Sequence, residues 1–133
     1  MKIVDTTFII DLSRNVPAAL QKSLELNKED RVFCTEVSIY ETLMGVFSIK
    51  NIDHEGKLQK FENFFDKFYI LGLDHESAVK SAKIAGQLIL EGKAISHTDC
   101  MIAGIALSNN INIIITRDKG HFERIKGIKV ESY

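Results

Sequence analysis

Short apolar runs alternate along this chain with longer segments in which apolar residues recur at helical spacing. Lys2 to Asp5 is the first run and ends on an acid; Thr6 to Ser13 follows, with Phe8, Ile9 and Leu12 spaced as on a helix. A second helix is expected after Asn15, with Pro17 in its first turn and Leu20 and Leu24 on one face. Arg31 to Cys34 reads as the second strand, after which Thr35 caps a helix carrying Val37, Tyr40, Leu43, Met44 and Phe47. From about Ile52 to Phe68, Leu58, Phe61, Phe64, Phe65 and Phe68 form an apolar stripe of helical period, suited to the core or to a partner or dimer face.

Tyr69 to Leu71 is the third strand candidate. Asp74 is a good N-cap for a helix to about Leu90, in which Ala78, Ala82, Ala85 and Gly86 permit close packing, and Gly92 ends it. Ser96 opens a helix to about Asn110, with Ile102, Ile105, Ala106 and Leu107 inside. Asn112 to Ile115, a short helical turn near Phe122 and a last strand, Ile128 to Val130, complete the pattern. Unbroken β-branched runs suit parallel strands buried on both faces. Strands separated by helices imply right-handed crossovers, so the expectation is one three-layer α/β/α domain over residues 1–133, with a central parallel sheet of about five strands.

In such sheets ligands sit at the carboxyl ends of the strands. Asp5 lies at the end of the first strand, and Asp118 lies just past the Ile113 to Ile115 strand. Either acid alone also reads as a cap for the turn that follows. Glu41 borders an apolar helix face, one turn from Val37 and Met44, with no Lys or Arg at helical spacing, so its charge needs a partner. Asp99 fits a capping box with Ser96, yet it shares its face with Ile102, Ala103 and Ala106. Four carboxylates gathered by the fold would repel unless a cation binds or some are protonated. Oxygen ligands select hard divalent ions, here Mg²⁺ or Mn²⁺, and such a site hydrolyses phosphodiesters through metal-activated water. Thr6, Thr7 and Thr116 place hydroxyls beside the outer acids, either as supports or as turn residues.

Composition alters this picture little. The chain has 133 residues, 45% hydrophobic and 26% charged, with a single Pro, an ordinary globular balance. Its net charge of −1 carries no global nucleic-acid signature, but Arg117, Lys119, Arg124, Lys126 and Lys129 form a basic stretch around Asp118, in which Arg117 and Lys119 are candidate phosphate contacts. Cys34 and Cys100 sit in apolar runs, as reduced thiols of a cytoplasmic protein would. Asp5 and Asp11 interrupt any secretory signal, and no run reaches membrane-spanning length.

Competing motifs fail on single positions. His75-Glu76 opens like a zinc-protease helix, but Val79 stands where the second His is needed. Gly92-Lys93 lacks the first glycine and the following hydroxyl of a phosphate loop, these positions being Gln87 and Ala94. His54, His97 and His121 lack metal-ligand spacing with the cysteines and read as surface or turn residues. A phosphoacceptor receiver domain would want an acidic pair after the first strand, and here Asp5 is followed by Thr6.

With these residues in view, the sequence resembles the PIN-domain ribonucleases, most closely the VapC-type toxins of toxin-antitoxin pairs. The resemblance is carried by Ile3-Val4-Asp5-Thr6-Thr7, by Thr35 to Glu41, by Thr98-Asp99-Cys100-Met101-Ile102-Ala103, and by Thr116-Arg117-Asp118-Lys119-Gly120-His121-Phe122. It implies that Asp5, Glu41, Asp99 and Asp118 form an acidic Mg²⁺ or Mn²⁺ site supported by Thr116. It also implies endonucleolytic cleavage of RNA, a homodimer, and inhibition by a cognate antitoxin peptide in the cleft. Position 7 is Thr where the family often has Ser or Asn, and Gly120 and His121 stand where some members carry a further acid. The alternative is a catalytically silent module that keeps the fold for RNA or protein contacts.

Overall fold

A computed structural model describes residues 1–133. The strands are β1 (Lys2–Val4), β2 (Val32–Thr35), β3 (Tyr69–Leu71), β4 (Ile113–Ile115) and β5 (Lys129–Glu131), all parallel, in the order β3-β2-β1-β4-β5. The helices are α1 (Thr6–Ser13), α2 (Pro17–Leu26), α3 (Glu36–Phe47), α4 (His54–Phe65), α5 (His75–Leu90), α6 (His97–Ser108) and α7 (Lys119–Phe122). From β1 the chain builds outward to β2 and β3, then crosses back through α5 and α6 to lay β4 on the other side of β1. The strand order therefore reverses between β1 and β4, where a parallel sheet opens a crevice at its carboxyl edge.

Alternate strand residues point to opposite layers. Ile3, Phe33 and Ile114 pack with Ile102, Ala103, Ile105 and Ala106 of α6 and with Phe122. Their neighbours Val4, Cys34 and Ile115 pack on the other face with Phe8 and Ile9 of α1, Ala19 and Leu26 of α2, and Phe65. The expected three-layer α/β/α architecture is the one observed.

Several helix ends follow from local chemistry. Asn15, Gly92 and Asn110 adopt φ of 58°, 68° and 57° just past α1, α5 and α6. In each case the next residue donates back to a carbonyl of the last turn: Val16 to Asp11, Lys93 to Leu88 and Ile111 to Ala106. The fourth helix begins at His54 rather than near Ile52, because the Asp53 carboxylate accepts the Gly56 N–H at 3.0 Å and caps it there.

The buried helix faces differ from those the apolar pattern suggests. α2 buries Ala19, Lys22 and Leu26, leaving Leu20 and Leu24 exposed, because Lys22 is neutralised from below by Glu131. α3 buries Val37, Ser38, Thr42 and Val46, and presents Tyr40, Met44 and Phe47 to solvent. In α5 the close-packing face is Ser77, Ser81 and Leu88, whereas Ala78, Ala82 and Gly86 are exposed. The small residue opposite is Gly104, where a Cβ would lie 2.8 Å from the Ser81 backbone nitrogen. Of the phenylalanine stripe, Phe65 is buried and Phe61, Phe64 and Phe68 half-buried against the same cluster. No helix is long and apolar enough to cross a membrane.

Candidate metal centre

Asp5 follows β1 directly, its backbone N–H still bonded to the Ile115 carbonyl at 3.1 Å, so the sheet places its side chain at the β1–β4 crevice. Asp5 is 2% exposed. One oxygen accepts from the Thr7 hydroxyl at 2.7 Å and the Phe8 N–H at 3.1 Å, the second from the Thr116 hydroxyl at 2.6 Å. The cap reading thus accounts for one oxygen only. Burial raises the Asp5 carboxyl to about 6 despite these three bonds, with a further push from Asp99.

Thr116, fully buried after β4, also accepts the Asp118 N–H at 2.8 Å, while Thr7 accepts the Arg117 N–H at 3.1 Å. The two hydroxyls stitch the turn after β4 to the turn after β1, which sets the position of Asp118. That residue stands at the N-cap of α7 but makes no side-chain capping bond.

Glu41, half-buried on α3, accepts from the Thr6 hydroxyl at 2.7 Å and the Thr98 hydroxyl at 3.0 Å. Those threonines neighbour Asp5 and Asp99 in sequence, so hydroxyls, not a basic residue, hold Glu41 to the crevice. Asp99 donates its N–H to Ser96 Oγ at 3.2 Å, as a third helical residue should, but its carboxylate meets His121 Nδ1 at 2.9 Å. Asp118 meets the same nitrogen at 3.0 Å. No Lys or Arg pairs with Asp5, Glu41, Asp99 or Asp118.

The donor atoms of Asp99, Asp118 and His121 lie within 4.8 Å of one another, a set that fits a divalent ion. Asp5 and Glu41 stand outside that trio, linked to it by Asp5's repulsion with Asp99 and by the Thr98 bond. Acids with no Lys or Arg partner at a strand-reversal crevice suit a bound cation. The PIN-domain family model matches residues 2–128.

The chain belongs to the PIN-domain family.

Among PIN-domain relatives, the tRNA(fMet)-specific endonuclease VapC of Salmonella typhimurium is 28% identical over 131 residues, covering 98% of this chain and 96% of its own length. Ribonuclease VapC1 of Methanocaldococcus jannaschii is 30% identical over 130 residues, covering 96% of this chain and 85% of its own. DNA-bound VapBC from Salmonella typhimurium has a chain that superposes with a TM-score of 0.85 at 27% identity, covering 98% and 96% of the two chains. This PIN domain is therefore of the VapC type.

The PIN-domain crevice also holds residues that the pattern did not mark. His121, expected as a surface or turn residue, lies between two acids because Phe122, fully buried, anchors α7 to the core beside it. Asp11 is 3% exposed and binds one Arg117 nitrogen through both oxygens, at 2.8 and 2.9 Å. The Tyr133 hydroxyl donates to the same carboxylate at 2.8 Å. Burial and that bond push the Tyr133 hydroxyl well above its usual range. Asp11 could have been found by the reasoning applied to Glu41, since it interrupts the apolar face of α1. The Arg117 guanidinium, a candidate phosphate contact, is held by Asp11, and its side chain is 62% exposed.

Proposed function

We propose that this PIN domain is a divalent-metal-dependent endoribonuclease whose ion is Mg²⁺ or Mn²⁺ and whose site is Asp5, Glu41, Asp99 and Asp118. The observation that carries the reading is the set of acids at the β1–β4 crevice with no Lys or Arg to neutralise them. A divalent ion bound there supplies polarisation of the phosphoryl oxygen and lowers the pKa of bound water. The protein's part is positioning. Thr7, Thr116 and the Phe8 amide hold Asp5, Thr6 and Thr98 hold Glu41, and the Thr7–Arg117 and Thr116–Asp118 bonds hold the turn bearing Asp118. Lys119, exposed at the start of α7, is the freer of the two candidate phosphate contacts.

The likeness to VapC proteins supports a toxin restrained by an antitoxin. A groove of about 520 Å³ between α1, α2, α3 and α4 has Glu41 in its lining, and suits a peptide that would reach this acid. Its walls include Ile10, Val46, Phe61 and Phe64, and Arg14, Lys57, Lys60 and Lys67 line it too, so the expected occupant is an apolar segment carrying acids. The exposed Tyr40, Met44 and Phe47 of α3 support a homodimer. Cys34 and Cys100 are free and buried, in keeping with a cytoplasmic protein, and burial raises the Cys34 thiol to about 12, which leaves it unreactive.

RNA cleavage with Mn²⁺ or Mg²⁺ tests the reading, with initiator tRNA as the first substrate because the Salmonella typhimurium relative is specific for it. Asp99→Asn is expected to lower the rate about a hundredfold or more, and EDTA to abolish cleavage. Equal cleavage by wild type and variant, or cleavage that persists in EDTA, overturns it. Absence of cleavage by a wild type that still binds RNA would favour the silent module.

A further inference from the structure

The four acids named above leave out His121, whose ring nitrogen lies within 4.8 Å of carboxylate oxygens of Asp99 and Asp118. We propose that His121 is a nitrogen ligand of the same divalent ion, sharing it with Asp99 and Asp118, and that this ligand makes the site prefer Mn²⁺ to Mg²⁺. The inference rests on the metal-dependent reading above and adds to it the donor type.

Three observations carry it. His121 Nδ1 is 2.9 Å from Asp99 Oδ2 and 3.0 Å from Asp118 Oδ2, so one ring nitrogen faces two carboxylates at once. A single N–H cannot point well at two acceptors, whereas one cation shared by three donor atoms satisfies all of them. The two separations also match the edge between adjacent ligands of an octahedral ion, about 3.0 Å for metal–ligand bonds near 2.1 Å. Finally, α7 is anchored by the fully buried Phe122, so the neighbouring ring is delivered to the acids by the fold rather than by a mobile loop.

The consequence is chemical. Mg²⁺ binds oxygen donors and retains water, while imidazole nitrogen suits first-row transition ions. Replacing one oxygen by Nδ1 in an otherwise carboxylate site therefore raises affinity for Mn²⁺ more than for Mg²⁺. The side chain of His121 is 40% exposed, so substitution there leaves the core intact.

The test is pulsed electron paramagnetic resonance of Mn²⁺ bound to the whole chain, which detects nitrogen coordinated directly to the ion, combined with titrations of Mn²⁺ and of competing Mg²⁺. Wild type is expected to show the nitrogen modulation and His121→Gln to lose it. The variant's Mn²⁺ affinity should fall about tenfold or more, while its Mg²⁺ affinity changes by less than about threefold. Mn²⁺ bound to wild type without nitrogen modulation overturns the assignment of His121 and leaves the acid site standing, as does a variant that binds both ions as tightly as wild type. A wild type that binds neither ion overturns both readings together.

Discussion

Lys22 and Asp5 are almost equally inaccessible, at 7% and 2% exposure, yet their surroundings answer the cost of burying charge in opposite ways. Lys22 is met by Glu131 and, at 3.1 Å, by Glu25; Glu131 also binds Lys2, which in turn binds Glu29 at 2.8 Å. Burial would depress the Lys22 ammonium, but its carboxylate partners outweigh it and the group rises, while Glu131 falls because Lys22 and Lys2 hydrogen-bond it. Asp5 has only hydroxyl and amide donors, and there burial prevails, carrying the carboxyl up to about 6. One region closes its own electrostatic balance with protein charges. The other leaves its buried carboxylate without a Lys or Arg partner, an arrangement that suits a bound cation.

The sharpest way to break this comparison is Asp5→Asn in metal-free protein. The native state of wild type holds its Asp5 proton up to about 6, against 3.8 for the ordinary group, so wild type loses stability as pH rises through that window. The variant should therefore gain on wild type by up to about 3 kcal/mol between the two values, while losing cleavage. Thermal melts in EDTA across that range read it directly. A constant difference between the two proteins would show that burial of the Asp5 charge is not penalised.

Lys22→Met should act in the opposite sense, destabilising the fold by about 2 kcal/mol because Glu131 keeps only Lys2 as a partner. Glu131 is lowered in the native state, so its stabilisation is present above its ordinary value of 4.5 and lost as pH falls through the folded value. The variant should blunt that acid loss, as denaturant titrations at neutral and acid pH would reveal. Unchanged stability would mean that the pairs contribute nothing net.

Asp11→Asn probes the border between the regions, since Asp11 is neutralised by Arg117, whose neighbour is Asp118. Stability should fall by about 1.5 kcal/mol and Mn²⁺ affinity about tenfold, through a looser turn after β4. Retained metal affinity would confine Asp11 to a stabilising role. Tyr133→Phe is the mildest change, about 1 kcal/mol for the lost hydroxyl bond to Asp11, with metal binding nearly unaltered. A metal defect as large as that of Asp11→Asn would extend the positioning group to Tyr133.

Much of this was legible in the residues themselves. The alternation of strands and helices, the caps at Thr35, Asp74 and Ser96, and the stop at Gly92 follow from interactions a few residues long, and each stands where the pattern puts it. Asp5 and Asp118 could be placed at one edge because a parallel α/β sheet gathers its strand ends there. Which face of a helix is buried was less legible. Tyr40, Met44 and Phe47 look like core by period and lie outside, while Lys22 looks like surface and lies inside. Periodicity records how apolar a face is, not what stands opposite it.

What the sequence determined by itself was therefore the order and type of the elements and the acids that could share an edge, because those rest on short-range propensity and a general rule of sheet topology. Tertiary structure alone decided how the acids are held and balanced. Thr116 reaches Asp5 across 111 residues and Arg117 reaches Asp11 across 106, contacts set by the pairing of β1 with β4. His121 joins Asp99 only because α7 packs beside α6. Such contacts depend on strand register and helix docking, whose energies are summed over the whole core and leave no local signature in the chain.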